Sequence, residues 1–126
     1  MGETNISDAE WRVMEVIWER ATATAAEVIA ALSSATEWKH RTIRTLLARL
    51  VEKKVLAARP DGNRYLYRPL VRRDRCVRQE SRSFLHRVFR GDAGELLVHM
   101  VRDADISAAQ IKELKRLLNE KHPRSE

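Results

Sequence analysis

The chain has 126 residues, 44% hydrophobic and 33% charged, with only 4 Gly and 3 Pro. That allows one or two small, mostly helical domains and leaves too little chain for a large enclosed catalytic cleft. The net charge is +6, the single cysteine excludes an internal disulfide, and no apolar run is long enough to span a membrane. The charge is uneven: residues 1–36 carry net −4, residues 37–75 net +8 and residues 76–126 net +2. A surplus concentrated in one third of the chain is expected of a phosphate-binding footprint. The N-terminus, M-G-E-T-N-I-S-D, is too acidic and polar for a signal peptide, and Gly2 with Asn5 and Ile6 does not complete a myristoylation pattern. A soluble, cytoplasmic protein without membrane insertion is expected, its lone Cys76 fitting a reducing compartment.

Ser7-Asp8-Ala9-Glu10 has the pattern of a capping box, and Ile6 and Trp11 flank it at hydrophobic-staple positions. Trp11, Met14, Ile17 and Trp18 continue as the buried stripe of a helix running to about residue 20. Thr24 to Glu27 repeats the capping pattern and opens a second helix, with Val28, Ile29 and Leu32 inward, ending near Ser33-Ser34. Between them Ala21-Thr22-Ala23 is short and suits an edge strand.

The next stretch, Trp38 to Lys54, places Ile43, Leu46, Leu47, Leu50 and Val51 at i, i+3, i+4, i+7 and i+8. At about 100° per residue, the arc opposite that stripe holds Arg41, Thr42, Thr45, Ala48 and Arg49, with Arg44 and Lys53 on its borders. Long cationic arms interrupted by hydroxyl and methyl groups suit base-pair edges in a major groove flanked by phosphates. A solvated basic face on an ordinary amphipathic helix is the alternative. Two short helices, a turn and a third helix with a basic face make a helix-turn-helix arrangement.

Val55 to Arg59 and Arg64 to Arg68 flank Pro60-Asp61-Gly62-Asn63, which reads as a β-hairpin. Pro60 is expected at the turn's second position, and Gly62 or Asn63 takes positive φ. Tyr65 and Tyr67 share one face, and Arg64, Leu66 and Arg68 the other. A hairpin after a basic third helix is the wing of a winged helix-turn-helix domain, with Arg59, Asn63 and Arg64 placed to touch phosphate or the minor groove. Pro69 ends the sheet.

Val77, Ser81, Phe84, Leu85, Val88 and Phe89 then form the apolar face of a helix stopping at Gly91. Asp92 caps the next helix, with Leu96, Leu97, Met100 and Val101 apolar. Ser107 to Gln110 is a third capping box, between Ile106 and Ile111, and Ile111, Leu114, Leu117 and Leu118 follow. The tail from Lys121 to Glu126 is polar and expected to fray. Three amphipathic helices of about fifty residues bury too little surface to be comfortable alone. Their stripes, Phe84, Leu85, Val88, Leu97, Met100, Val101, Ile111, Leu114, Leu117 and Leu118, need a partner: a second copy, or the N-terminal domain in a compact monomer. DNA readers of this size bind two half-sites about 34–36 Å apart as symmetric dimers, so the second copy is favoured.

Taken together, the chain resembles the penicillinase-repressor family of bacterial regulators, the BlaI/MecI/CopY type. The resemblance rests on I-S-D-A-E-W-x-V-M-x-V-I-W from Ile6 to Trp18 and on T-I-R-T-L-L-x-R-L within Trp38–Leu50. The hairpin's Y-x-Y-x-P-L and the stretch from Ser81 to Gly91 extend it over nearly the whole chain. It implies a mainly α fold with a small β-hairpin wing: a winged helix-turn-helix domain over 1–71 and a three-helix dimerisation domain over 72–126. It also implies a homodimer that represses transcription on a dyad-symmetric double-stranded DNA operator, with Arg41, Thr42, Thr45 and Arg49 at the operator-facing positions. In β-lactam-responsive members a membrane sensor-protease releases the operator by cutting the dimerisation domain.

Three departures matter. The family's Trp-Ser-Pro-Lys-Thr ahead of the recognition helix reads Trp38-Lys39-His40-Arg41-Thr42, losing the capping Ser and the Pro. Lys39 and His40 add donors there; they oppose the helix dipole and suit a nearby phosphate. The C-terminal cysteine cluster of copper-responsive members is missing, and the cleavable Asn-Phe bond of resistance repressors falls near His99-Met100, which does not match.

No enzyme and no cofactor are expected, because Gly-rich phosphate loops, nucleophile elbows and paired-carboxylate motifs are lacking. His40, His86, His99 and His122 lie in separate segments, so no metal site is expected, although His86 and His99 could approach across adjacent helices. Arg73, Arg75 and Arg78 around Cys76 leave a redox-sensitive thiol as a minor reading. The rival to a sequence-specific repressor is a winged-helix module that binds nucleic acid without sequence preference or an acidic protein partner.

Overall fold

The computed structural model describes residues 5–123; the first four residues of the N-terminal reading and the last three of the polar tail lie outside it. The chain divides into two compact units, Met1–Ser81 and Arg82–Glu126.

In the first unit, α1 (Asp8–Arg20) opens on the capping box expected of it. The Glu10 amide donates to Ser7 Oγ at 3.1 Å and the Ser7 amide to Glu10 Oε1 at 2.9 Å. The helix closes at Ala21, whose φ of 73° is left-handed, so β1 is confined to Ala23–Thr24 and does not begin at Ala21. Thr24 ends that strand and also caps α2 (Ala25–Ser33), accepting from the Glu27 amide at 3.2 Å. α3 (His40–Glu52) starts two residues after Trp38, whose amide donates to Thr36 Oγ1. Lys54, with φ 65°, supplies the left-handed residue that turns the chain out of α3 into β2 (Leu56–Asp61) and β3 (Arg64–Pro69).

The sheet is antiparallel in the order β1-β3-β2, with Thr24 opposite Leu66 and Arg59 opposite Leu66 on the other side. Asp61 faces Arg64 across a two-residue turn in which Gly62 carries φ +68°, a conformation that glycine adopts without a Cβ penalty. Pro60 is not in the turn as expected. It sits inside β2 opposite Tyr65, because the hairpin closes two residues later than the Pro-Asp-Gly-Asn pattern suggests.

The core is built from Val13, Met14 and Ile17 of α1, Val28, Ile29 and Leu32 of α2, Ile43, Leu46, Leu47 and Leu50 of α3, and Val55 and Leu56. The two tryptophans stand at its edge and not within it. Trp11 and Trp18 are half-buried, in edge-to-face contact at 5.3 Å, and each spends its indole N–H: Trp11 on Glu15 and Trp18 on the Val71 carbonyl, both at 3.0 Å.

The division between units falls within α4 (Arg73–Phe89). In the second unit that helix ends where Gly91, φ +83°, returns its amide to the Leu85 carbonyl. Asp92 caps α5 (Ala93–Asp103), and Ser107 with Gln110 forms the capping box of α6 (Ala108–Lys121), as expected. Phe89 touches Phe84 and His99, with ring centroids 5.9 and 5.6 Å apart. No described residue of this unit is buried; Leu85, Phe89, Leu96, Leu97, Ile106 and Leu114 are only partly covered. The six helices and one small antiparallel sheet of the described residues match the expected fold class.

Candidate nucleic-acid interface

The hydrophobic stripe of α3 dictates which side of the helix faces solvent. Ile43, Leu46, Leu47 and Leu50 are buried, and the opposite arc, Arg41, Thr42, Arg44, Thr45, Ala48 and Arg49, is exposed along its whole length. Among the described residues no carboxylate pairs with Arg41, Arg44 or Arg49. Arginines on an ordinary solvated helix face collect i±3 or i±4 acids, and here Glu52 is the one acidic residue α3 contains. The guanidiniums therefore keep their hydrogen-bonding edges free for an external anion or base edge.

At the N-terminus of α3, Lys39 occupies the capping position with extended backbone and no side-chain hydrogen bond to the helix, and the first turn holds no acid. Lys39 and His40 are both exposed. The positive end of the helix dipole is thus left to solvent and to cations.

In the wing, Arg59, Asn63 and Arg64 are all exposed. Arg59 has no ion-pair partner among the described residues, whereas Arg64 donates through Nε and Nη2 to Asp61 Oδ2, both at 3.3 Å. Arg64 has to exchange that carboxylate for a phosphate in order to engage one.

Lys53 does not border the basic arc in the way the helical wheel suggests. Its ammonium donates to Glu10 Oε1 at 2.7 Å and to the Asn5 carbonyl at 2.8 Å, joining the end of α3 to the start of α1. Glu10 is buried, and burial alone pulls its carboxyl upward. The Lys53 ammonium and the Ser7 cap together outweigh that and hold it below the ordinary carboxylate value. The acid at the third position of α1 was legible as a cap; its second bond, to a lysine 43 residues on, was not.

The residues expected to carry dimerisation present apolar surface. Phe84, Val88, Met100, Val101, Ile111, Leu117 and Leu118 are exposed, and Leu85, Leu97 and Leu114 partly so. Cys76 departs from the reading as a reactive thiol. It is buried, and that burial pushes its thiol up; Glu80 and Asp74 add to the shift, and only Arg75 opposes it. Among the described residues no group of three or more His, Cys, Asp or Glu could hold a metal, and no helix is long and apolar enough to cross a membrane.

The family model described as penicillinase repressor matches residues 6–120. The chain is 34% identical over 116 residues to the methicillin resistance regulatory protein MecI of Mammaliicoccus sciuri, covering 92% of this chain and 94% of that protein. It is 34% identical over 115 residues to the penicillinase repressor of Bacillus licheniformis, covering 91% and 90%. Among solved structures, the monomeric form of Bacillus licheniformis BlaI in complex with the blaP half-operator is similar at a TM-score of 0.52. The sequences there are 37% identical, and the match covers 59% of this chain and 92% of that one.

Proposed function

This chain belongs to the penicillinase repressor family, and on that premise we propose that it is a dimeric, sequence-specific DNA-binding transcriptional repressor acting on a dyad-symmetric operator. The observation that carries the reading is the unpaired basic arc of α3. Arg41, Arg44 and Arg49 alternate with Thr42 and Thr45 on a face that the core leaves wholly exposed. Arg49 and Thr45 read base edges, and Lys39 and His40 hold phosphates where the helix begins. Arg59, Asn63 and Arg64 hold the backbone beside the groove. The apolar residues of α4, α5 and α6 join two protomers, so that two recognition helices reach successive half-sites about one helical turn apart. An inducing signal such as proteolysis by a sensor-protease, acting on the helical unit, releases the operator. The protein works in the cytoplasm, where its DNA lies, and has no enzymatic activity of its own.

The test is footprinting on the DNA upstream of the protein's own gene, followed by binding of Arg49→Ala and Thr45→Ala to the protected duplex and to random duplex. Selective loss on the protected site supports base readout. Equal loss on both, with a steep salt slope and little discrimination, identifies a module that binds nucleic acid without sequence preference.

A further inference from the structure

Arg12 lies on α1, outside every segment assigned to DNA above, and it is exposed. Its guanidinium stands 5.8 Å from the ring centroid of Trp38, the residue immediately before Lys39 at the cap of α3. Two acids lie within helical reach of Arg12, Asp8 four residues before and Glu15 three residues after. Neither neutralises it. Glu15 is committed to Arg73, through two bonds of 2.9 and 3.0 Å, and to the Trp11 indole at 3.0 Å, while Asp8 makes no ion pair among the described residues. A guanidinium lying over an aromatic face keeps its in-plane N–H edges available, which is the geometry in which arginine binds phosphate. Arg12 therefore offers a free donor from a different helix, placed over the residue that precedes Lys39 and His40 in sequence. Glu37 is the acid adjacent in sequence, and it too has no partner among the described residues.

We infer that Arg12 is a further DNA-contacting residue: an arginine from α1, braced on Trp38, that binds a backbone phosphate next to the start of the recognition helix. The inference rests on the DNA-binding reading above and extends its footprint onto α1. The contact carries no sequence information, so its loss weakens every duplex alike.

The experiment measures the salt dependence of binding for the full chain, wild type and Arg12→Ala, on the footprinted operator and on random duplex. At 0.15 M salt the variant is expected to lose about fivefold on both duplexes, and its slope of log affinity against log salt to fall by about 0.9, one phosphate's worth. Arg12→Lys is expected to restore the slope, since an ammonium also binds phosphate. Should Ala disturb α1, seen as a change in thermal midpoint, Arg12→Gln is read the same way. An unchanged slope, or a loss confined to the operator, overturns the inference, because it leaves Arg12 only the role of bracing Trp38. Arg49→Ala on the same two duplexes keeps the two readings apart. If it fails to discriminate operator from random DNA, the base-readout reading fails whatever Arg12 does.

Discussion

Lys53 and Glu10 are 43 residues apart in sequence and 2.7 Å apart in the fold, and through them the C-cap of α3 is tied to the first turn of α1. The carboxylate is almost fully buried, at 2% exposure, while the lysine remains 37% exposed. The cost of breaking the pair therefore falls mainly on Glu10, which is left charged in the core.

Lys53→Met is expected to destabilise the first unit by about 1–2 kcal/mol, the partial exposure of Lys53 placing it between exposed and fully buried pairs. A denaturant titration checks it, and an unchanged midpoint contradicts it. The same pair sets an acid limit. Glu10 is held below the ordinary value of 4.5, so its contribution is fully present above that pH and is lost as pH falls through the lowered folded value. Glu10→Gln is expected to be less stable at neutral pH and to show a flatter melting temperature against pH in the range below 4.5. Parallel profiles for the two proteins would remove Glu10 as the group responsible.

Ala21 closes α1 at φ 73° and ψ −43°, a region in which a side chain costs about 1–3 kcal/mol. Glycine relieves that strain and returns about 0.5–1 kcal/mol as extra freedom of the unfolded chain. Ala21→Gly is accordingly expected to stabilise the protein, raising the melting temperature by a few degrees. A decrease would mean that the turn tolerates its alanine without strain.

Asp61 occupies Arg64 at the wing tip through an exposed, weak ion pair. Asp61→Asn removes a negative charge from the wing tip and frees the guanidinium. Affinity for operator and random duplex is expected to rise by the same factor, with a salt slope steeper by up to about 0.9. Weaker binding would show that Asp61 orients Arg64 and does not merely mask it.

Leu117 and Leu118 are each 44% exposed on α6. Replacing Leu118 with Lys is expected to weaken self-association, since a symmetric interface loses about 1.5–3 kcal/mol of apolar burial at each copy. Sedimentation equilibrium reads it, and a variant that assembles as tightly as wild type places the interface elsewhere.

Local rules decided how much of this was legible beforehand. The capping boxes at Ser7, Thr24 and Ser107, and the stripe from Ile43 to Leu50, follow from spacing within a few residues, and the structure bears them out. The hairpin was legible as an element but not in register. Pro60 suits a turn by composition, and only the pairing of β2 with β3 decides that Asp61 closes it. The α3 arc was legible because one helix carries all of it. Arg12 was not, because its position beside Trp38 depends on α1 and the α2–α3 connection meeting in space, and on Arg73 having claimed Glu15 first. Lys53 failed for the same reason: a helical wheel assigns a side to a residue and is blind to a carboxylate arriving from another helix.

Pro60 lies in β2, an edge strand of the sheet, one pair before the hairpin's closing pair, Asp61 and Arg64. Hydrogen-bonded and non-hydrogen-bonded pairs alternate along an antiparallel ladder, so the backbone nitrogen at position 60 points away from β3. A proline there costs the wing nothing and denies a donor to any strand approaching from outside. Two wings brought together during synthesis or at high concentration therefore lack a continuous template on which to zip together. The residue that looks like a turn-former in the sequence serves as a guard against aggregation.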